Sequence, residues 1–276
     1  MGKSFNIVDI FIIIKDAVIK MRYIDPSRVV HQHLQNRLPP KWRIAIMCFH
    51  SKGKTEIIAE AFHGRLLGYR VFSKCDESVV YETDIAGETV GILGWCTGGG
   101  PMAASLIEEL SAIGVKYIIG IGAAASISHS VKIQDLILAS ELLVTDGTSR
   151  CYVGERSLVN IHPEMLQLFR GVIKELCLNV KEVRAATVDA MYRQTEQLLQ
   201  PWRDRGCEVV NWELTPFYVA CEICGIKSLW YGHVSDKEIE GKWDDWYCDR
   251  MKAFTDSVWI CEKLILRLVE EKIHEN

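Results

Sequence analysis

Short apolar runs alternate with amphipathic segments along most of this 276-residue chain. Apolar runs bounded by turn residues are typical of buried strands, whereas apolar residues recurring every three or four positions predict helices. Strands are predicted at residues 42–49, 69–74, 89–94, 115–122 and 182–188. Helices are predicted at residues 56–67, 102–113, 163–177, 196–203 and 249–271. This alternation favours an α/β fold with three layers, in which helices flank a central mixed, largely parallel sheet.

The pattern also predicts how the chain is divided. No linker or internal repeat interrupts residues 42–276, which are predicted to form a single domain. Residues 1–41 are an N-terminal extension, expected to pack on this domain or on a partner subunit. Its apolar run, Ile7 to Ile14, is too short to span a bilayer. Because no small-residue cleavage site follows that run, no signal peptide is expected.

Composition excludes several classes of partner. A formal net charge of −4 leaves no basic footprint for nucleic acid or an anionic membrane. The ten cysteines are scattered, which indicates reduced thiols in a cytoplasmic protein. Cys221 and Cys224 lie within a helical pattern and are interpreted as core residues, while His31 and His33 have no third ligand nearby. Neither a metal nor another cofactor is expected.

Three strand-to-loop junctions have glycines that suit an anion. Residues 50–55 end like a P-loop, but Cys48 occupies the position of its required first glycine. Their two lysines and the helix start that follows still favour an anion. Residues 120–125 satisfy the GxGxxA pattern of dinucleotide binding, although turn residues follow, and this alternative stays open. The consecutive glycines of residues 97–101 permit close approach of a ligand to the backbone.

Two carboxylates in the stretch from Cys207 to Asp236 follow predicted strands. Glu213 comes after one short apolar strand, and Asp236 stands at the end of the next one, with an amphipathic helix between them. Ligands of open α/β sheets bind outside the carboxyl ends of strands. Both acids are therefore expected to face one crevice. Taken alone, Glu213 is better explained as a charge at a helix start.

Four segments, in this order, resemble the nucleoside phosphorylase family, which includes purine nucleoside phosphorylases, uridine phosphorylases and methylthioadenosine nucleosidases. TGGGPMAASLIEELSAIGVKYIIGIGAAASI is similar to the family's glycine loop, helix and second loop. VVNWE is similar to its ribose motif, and GHVSD to its base-site strand. Residues 249–254 resemble the helix segment whose arginine partners the aspartate. The resemblance covers residues 42–270 and implies a homo-oligomeric enzyme that acts on a small nucleoside.

The resemblance also implies roles for individual residues. Glu213 would bind the ribose hydroxyls, since a carboxylate accepts two charge-assisted hydrogen bonds from a cis-diol. Asp236, partnered by Arg250, would donate or relay a proton to the departing base. The other implied site residues are Asn211 and Trp212 at the ribose, Tyr192 and Ser235 at the base, and Gly98, Gly99, Gly122, Ala123, Lys52 and Lys54 at the nucleophile or phosphate.

Departures from the family pattern concentrate at the phosphate. Gly120 and Glu88 stand where phosphorylases have arginines, and Ala123 replaces a serine. The nucleosidase branch lacks such arginines too and uses water as its nucleophile, which favours hydrolysis here. At the ribose, Asn211 replaces an acid and Trp212 replaces a methionine.

Three functions are consistent with these residues. The leading hypothesis is hydrolysis of the N-glycosidic bond of a purine-type nucleoside. The second is phosphorolysis, with Lys52 or Lys54 supplying the charge that the arginines would bring. The third is a nucleoside- or nucleotide-binding protein without catalysis, whose lysines would hold a 5′-phosphate. The base and the 5′ substituent are not determined by the sequence.

Overall fold

The computed structural model of the protein describes residues 23–244 and 251–275. The strands are β1 (Ile44–Cys48), β2 (Arg65–Leu66), β3 (Val80–Ile85), β4 (Glu88–Leu93), β5 (Tyr117–Ser126), β6 (Leu136–Leu143), β7 (Leu158–Asn160), β8 (Val180–Thr187), β9 (Val209–Asn211), β10 (Lys227–Ile239) and β11 (Lys242–Asp244). The helices are α1 (Pro26–Leu34), α2 (Lys52–Ala61), α3 (Gly99–Ala112), α4 (Gly147–Val153), α5 (Pro163–Glu175), α6 (Glu196–Asp204), α7 (Leu214–Cys224) and α8 (Met251–Glu275). Single 3-10 turns lie at Glu77–Val79 and Met191–Arg193.

These strands belong to one mixed sheet. Strands β4, β1, β5 and β10 are parallel neighbours at its centre. Every residue of β1 is buried, which is typical of a parallel strand covered on both faces. Helices α1, α3, α4 and α7 form one packed group, and α5 and α8 pack against β10. The predicted α/β class, a mixed sheet between helices, is confirmed.

Five strands of the sheet close into a ring. From β5 the pairing runs through β10, β6, β8 and β9 and returns to β5. At the closure, Ala125 of β5 pairs with Val210 of β9 on one side and with Asp236 of β10 on the other. The carboxyl ends of β9 and β10 therefore flank the same residue of β5.

The sequence predicts a loop of small residues at 123–126, after the strand at 115–122. This prediction is wrong, because residues 123–126 continue β5. Their backbone groups are used by the neighbouring strands β9 and β10, so the strand persists despite its alanines. The chain that follows β5 enters turns rather than a helix. Since dinucleotide binding requires a strand, a tight turn and a helix in succession, the GxGxxA alternative is also wrong.

The strand predicted at residues 69–74 is absent from the structure, where this segment is irregular. Its apolar residues Val71 and Phe72 are buried in the main core. The Arg70 guanidinium donates to the carbonyl oxygens of Phe72 and Ser73 at 3.3 and 2.8 Å. A side chain thus satisfies backbone groups that a neighbouring strand would otherwise have paired.

Helix positions differ from prediction mainly at their ends. The helix predicted at 56–67 is α2, which begins at Lys52, and the helix predicted at 102–113 is α3, which begins at Gly99. The predicted start of the last helix, at Asp249, lies outside the described residues, and α8 continues to Glu275. In the N-terminal extension, α1 buries Val30 and Leu34 in the core, while the run from Ile7 to Ile14 lies outside the described residues.

Candidate active site

A cavity of about 970 Å³ lies at the carboxyl ends of β1, β9 and β10. Its wall is completed by the 3-10 turn Met191–Arg193 and by the hairpin that joins β10 to β11. Eight predicted site residues line it, namely Lys54, Ala123, Tyr192, Asn211, Trp212, Glu213, Ser235 and Asp236. Four others do not line it, namely Lys52, Gly98, Gly99 and Gly122. Arg250 lies outside the described residues.

Asn211 connects the two sides of this cavity through its amide group. Its Nδ2 donates to the carbonyl oxygen of Ala123 at 2.8 Å. Its Oδ1 accepts the backbone N–H groups of Glu213 and Leu214 at 2.5 and 3.0 Å, which caps the start of α7. A carboxylate here would have no donor for Ala123. The asparagine, predicted at the ribose, therefore holds the backbone of Glu213 in place.

Glu213 is a buried carboxylate at the point where β9 passes into α7. The backbone N–H of Gly99, at the start of α3, donates to its Oε1 at 3.2 Å. Gly99 thus acts on the carboxylate rather than lining the cavity. Burial raises the pKa of Glu213 to about 7, against the smaller lowering effect of the Gly99 hydrogen bond. Donors that a ligand brings to this carboxylate would favour its ionised form.

Asp236 reaches the cavity because of a bulge in β10. The pairing with β5 shifts register between Val234 and Asp236, which leaves Ser235 as the extra residue. In a regular strand Ser235 and Asp236 would face opposite sides, whereas here both line the cavity. The Ser235 hydroxyl donates to Oδ1 of Asp236, and the Trp243 indole N–H donates to Oδ2 at 2.9 Å.

Glu238 is a further carboxylate of the cavity, which is not among the predicted site residues. It lies two residues beyond Asp236, so both side chains project from the same face of β10. Burial and then the charge of Asp236 raise the pKa of Glu238 to about 7, while Arg203 opposes the shift. The spacing of two acids at i and i+2 on a predicted strand could have indicated from the sequence that Glu238 shares a face with Asp236.

Aromatic side chains form the rim of the cavity. Tyr192, predicted to lie against the base, lines it from the 3-10 turn and is largely exposed. Trp95 and Trp243 also line it and expose about half of their surface, 55% each. The sequence predicts residues 242–246 as a loop or lid that flanks the pocket. It gives no signal for Trp95, which follows β4 without a helical or strand pattern of its own.

The two candidate lysines differ in position. Lys54 lines the cavity from α2. The ammonium group of Lys52 lies 3.2 Å from the Ser78 hydroxyl. Among the described residues that line the cavity there is no arginine. Glu88 begins β4, at the opposite end of that strand from the cavity, and does not line it.

Packing explains the glycine at position 120. A Cβ atom there would lie 2.6 Å from Cδ1 of Trp230 and 3.2 Å from Cζ of Phe217. Gly120 and Trp230 are partners across β5 and β10, and Trp230 is fully buried. Gly122 faces the same indole, with a Cβ distance of 2.6 Å to Cζ2. The indole therefore occupies the space that a longer side chain at position 120 would need.

Two histidines stack beside the cavity. The rings of His50 and His233 lie 5.6 Å apart at 18°, and both side chains are buried. His50 lines the cavity, and His233 belongs to β10. Nothing local in the sequence indicated this pair, because β1 and β10 meet only through the sheet. The described residues contain no cluster of three potential metal ligands, and no helix among them is long and apolar enough to cross a membrane.

The fold and the site together define an α/β protein with a small-molecule cavity at the ends of its sheet strands. A family model described as the phosphorylase superfamily matches residues 43–270. The match spans most of the chain, so the protein belongs to the phosphorylase superfamily, and the resemblance seen in the sequence is confirmed.

Individual relatives are distant. An uncharacterized protein of Acanthamoeba polyphaga mimivirus is 28% identical over 56% of this chain and 60% of its own length. The DeoD-type purine nucleoside phosphorylase of Clostridium novyi is 25% identical over 59% of this chain and 70% of its own. Over one short stretch, 20% of each chain, the uridine phosphorylase of Thermococcus kodakarensis is 44% identical.

A solved structure shares the fold. The crystal structure of the purine nucleoside phosphorylase of Toxoplasma gondii in complex with immucillin-H superimposes with a TM-score of 0.74. The superposition covers 91% of this chain and 99% of that one, at 19% sequence identity. At this identity the likeness concerns the fold alone.

Proposed function

We propose that this protein cleaves the N-glycosidic bond of a purine-type nucleoside, with water as the acceptor. The observation that carries the proposal is the meeting of Glu213 and Asp236 in one cavity, at the place where β9 and β10 flank Ala125 of β5. Membership in the phosphorylase superfamily supports nucleoside cleavage in general. The choice of base and acceptor, and the role of each residue, belong to the proposal.

At the ribose, Glu213 accepts hydrogen bonds from the two hydroxyls, and Trp212 beside it covers the sugar. The carboxylate is held by the Gly99 N–H and by the backbone that Asn211 caps, so it is already oriented before a ligand arrives. Charge-assisted bonds from a cis-diol are directional and strong. They would also stabilise an electron-deficient sugar while the glycosidic bond breaks.

At the base, Asp236 provides or relays the proton that the leaving group needs. As the C–N bond breaks, its electron pair stays on the base, and a proton transferred to a ring nitrogen neutralises the new charge. Water adds to the sugar cation and releases one proton, which restores the protonation state of the protein. Ser235 orients the carboxylate, and Tyr192 covers the base from the rim. Partnership with Arg250 is implied by the resemblance and is part of the proposal.

Water is favoured as the acceptor because the described cavity wall carries no arginine. Phosphate-binding sites usually combine several cationic or N–H donors. Here Ala123 offers no hydroxyl, and Trp230 fills the space beside Gly120.

Phosphorolysis is the second candidate, and the position of Lys54 on the cavity wall is the observation that favours it. A lysine binds phosphate as a point charge. Under this alternative Lys54, rather than Lys52, supplies the charge, because Lys52 lies beside Ser78 outside the cavity.

Product analysis decides between these functions. Inosine, adenosine, methylthioadenosine and uridine are incubated with the protein, with and without phosphate. Free base and free sugar in both buffers are expected. Sugar 1-phosphate formed only with phosphate, and lost in Lys54→Ala but retained in the matched Lys52→Ala, would establish phosphorolysis instead. Tight binding without product from any nucleoside would establish a binding protein.

A further inference from the structure

The hairpin between β10 and β11 has a defined register. Glu240 and Gly241, the two residues of its turn, have φ angles of 55° and 69°, as two-residue hairpin turns with the strand twist require. This turn pairs Glu238 with Trp243 and Ile239 with Lys242. Trp243 thus projects from the face that carries Glu238 and Asp236, and it lies diagonal to Asp236, within reach of a large aromatic side chain.

The contact itself is a hydrogen bond to the buried acid. The Trp243 indole N–H donates to Oδ2 of Asp236 at 2.9 Å, while Ser235 donates to Oδ1. Asp236 is 5% exposed although the indole above it remains half-exposed. The indole therefore lies between the carboxylate and solvent. An indole has a single donor and no acceptor, so it can bind only to an oxygen of the carboxylate. This bond therefore restricts the rotation of the Asp236 carboxylate.

We propose that Trp243 is a positioning residue for Asp236 and that the β10–β11 hairpin forms the outer wall of the base end of the cavity. The inference rests on the proposed function, because it concerns the acid that serves the departing base. Trp243 acts through Asp236. Trp243 occupies one lone pair of Oδ2 and Ser235 one lone pair of Oδ1. The remaining lone pairs of the carboxylate are then available to a ring nitrogen of the ligand.

The test removes the N–H group and keeps an aromatic ring. In Trp243→Phe, kcat is expected to fall about tenfold, a typical effect of losing a hydrogen bond to a charged group, while KM changes little. Trp259→Phe on α8 is the matched control, since Trp259 is equally exposed, at 54%, and does not line the cavity. In the Asp236→Asn background, Trp243→Phe is expected to add no further loss, because both changes act on one contact.

A spectroscopic measurement tests the contact without turnover. The indole N–H resonance of Trp243 is assigned among the eight tryptophans by its absence from the spectrum of Trp243→Phe. It is expected downfield of an exposed indole and displaced in Asp236→Asn. If the indole resonances of the other seven tryptophans also moved in Trp243→Phe, the variant would be misfolded. In that case Trp243→His replaces it, since histidine keeps an N–H donor in a smaller ring.

The outcomes distinguish a failure of the positioning role of Trp243 from a failure of the proposed function. Full kcat in Trp243→Phe, in a wild type that cleaves nucleosides, would overturn the positioning role and leave the proposed function standing. A wild type that releases no base from the nucleoside panel would overturn the proposed function. In that event the Trp243 indole resonance still tests the hairpin contact. A shift of this resonance in Asp236→Asn supports the contact, and an unchanged resonance overturns the contact as well.

Discussion

At the scale of single residues, the buried carboxylate Glu213 makes stability depend on pH. Its pKa in the folded protein, about 7, lies above the ordinary value of 4.5 because burial disfavours the charge. The folded state therefore binds a proton more tightly than the unfolded chain. The stability that this proton provides is fully present below pH 4.5 and is lost as pH rises through 7.

Glu213→Gln is expected to remove that dependence. Between pH 5 and pH 8, ionisation of Glu213 should lower the free energy of unfolding of the wild type by up to about 3 kcal/mol. In the variant, position 213 should make no such contribution. Denaturant unfolding at both pH values measures the difference, with the exposed Glu155→Gln as control. The variant should also lose nucleoside cleavage. An identical pH slope in the wild type and the variant would contradict the assignment.

Trp95 has a strained backbone at the rim of the cavity. Its φ is 53°, unfavourable for a bulky residue. The N–H groups of its neighbours Gly94 and Cys96 are bound to Val79 and Cys48 at 2.8 and 3.0 Å, which hold the chain in this conformation. Strain of this kind is concentrated at functional sites.

Trp95→Gly is therefore expected to change stability and binding in opposite directions. Relief of strain should raise the unfolding free energy by about 0.5–1 kcal/mol, after the entropy cost of glycine. Loss of the aromatic surface should weaken nucleoside binding about tenfold. Thermal unfolding and calorimetric titration measure the two effects. If both quantities fell together, Trp95 would be a structural residue.

At the scale of elements, the pairing of β5 with β10 determines which side chains fit at positions 120 and 122. Trp230 needs glycines opposite it, at positions 120 and 122, and its indole then excludes longer side chains there. The absence of an arginine at position 120 is thus a matter of packing between two strands.

Gly120→Ala is expected to destabilise the protein by about 2 kcal/mol, because its Cβ would lie 2.6 Å from the Trp230 ring in a close-packed core. Gly171→Ala in α5 is the matched control. A Cβ atom at position 171 meets nothing within 4 Å, so alanine there should stabilise the helix by about 0.5–1 kcal/mol. Denaturant unfolding of both variants measures the contrast. Equal effects would show that Trp230 does not restrict position 120.

At the scale of the whole molecule, charge favours an uncharged ligand. The protein carries a formal net charge of −4. Four carboxylates and two lysines are among the described residues that line the cavity, namely Glu196, Glu213, Asp236, Glu238, Lys54 and Lys242. At pH 7 Glu213 and Glu238, with pKa values of about 7, are half ionised. The four carboxylates together still carry more charge than the two lysines, so an anion that enters this cavity is repelled.

Inosine 5′-monophosphate is therefore expected to bind at least about tenfold more weakly than inosine. The difference in affinity between the two ligands should decrease as salt is added. Calorimetric titration at low and high ionic strength measures both affinities. Glu238→Gln should also decrease this difference in affinity. Tighter binding of the monophosphate would favour the nucleotide-binding hypothesis. Assembly into a homo-oligomer stays a prediction.

The fold class, the family and the two acids near the ends of consecutive strands could all be predicted from the sequence. These features depend on local periodicity and on motif order, which survive without knowledge of any contact. The roles of individual site residues, Arg250 among them, stay predictions.

The orientation and the contacts of those residues could not be predicted, because they depend on the tertiary structure. The bulge at Ser235, the amide bonds of Asn211, the packing of Trp230 against Gly120 and the bond from Trp243 to Asp236 all join distant parts of the chain or depend on strand register. Register is set by the closure of the sheet as a whole, through β5, β9 and β10. A shift of one residue turns a side chain to the other face, so no run of sequence specifies such contacts.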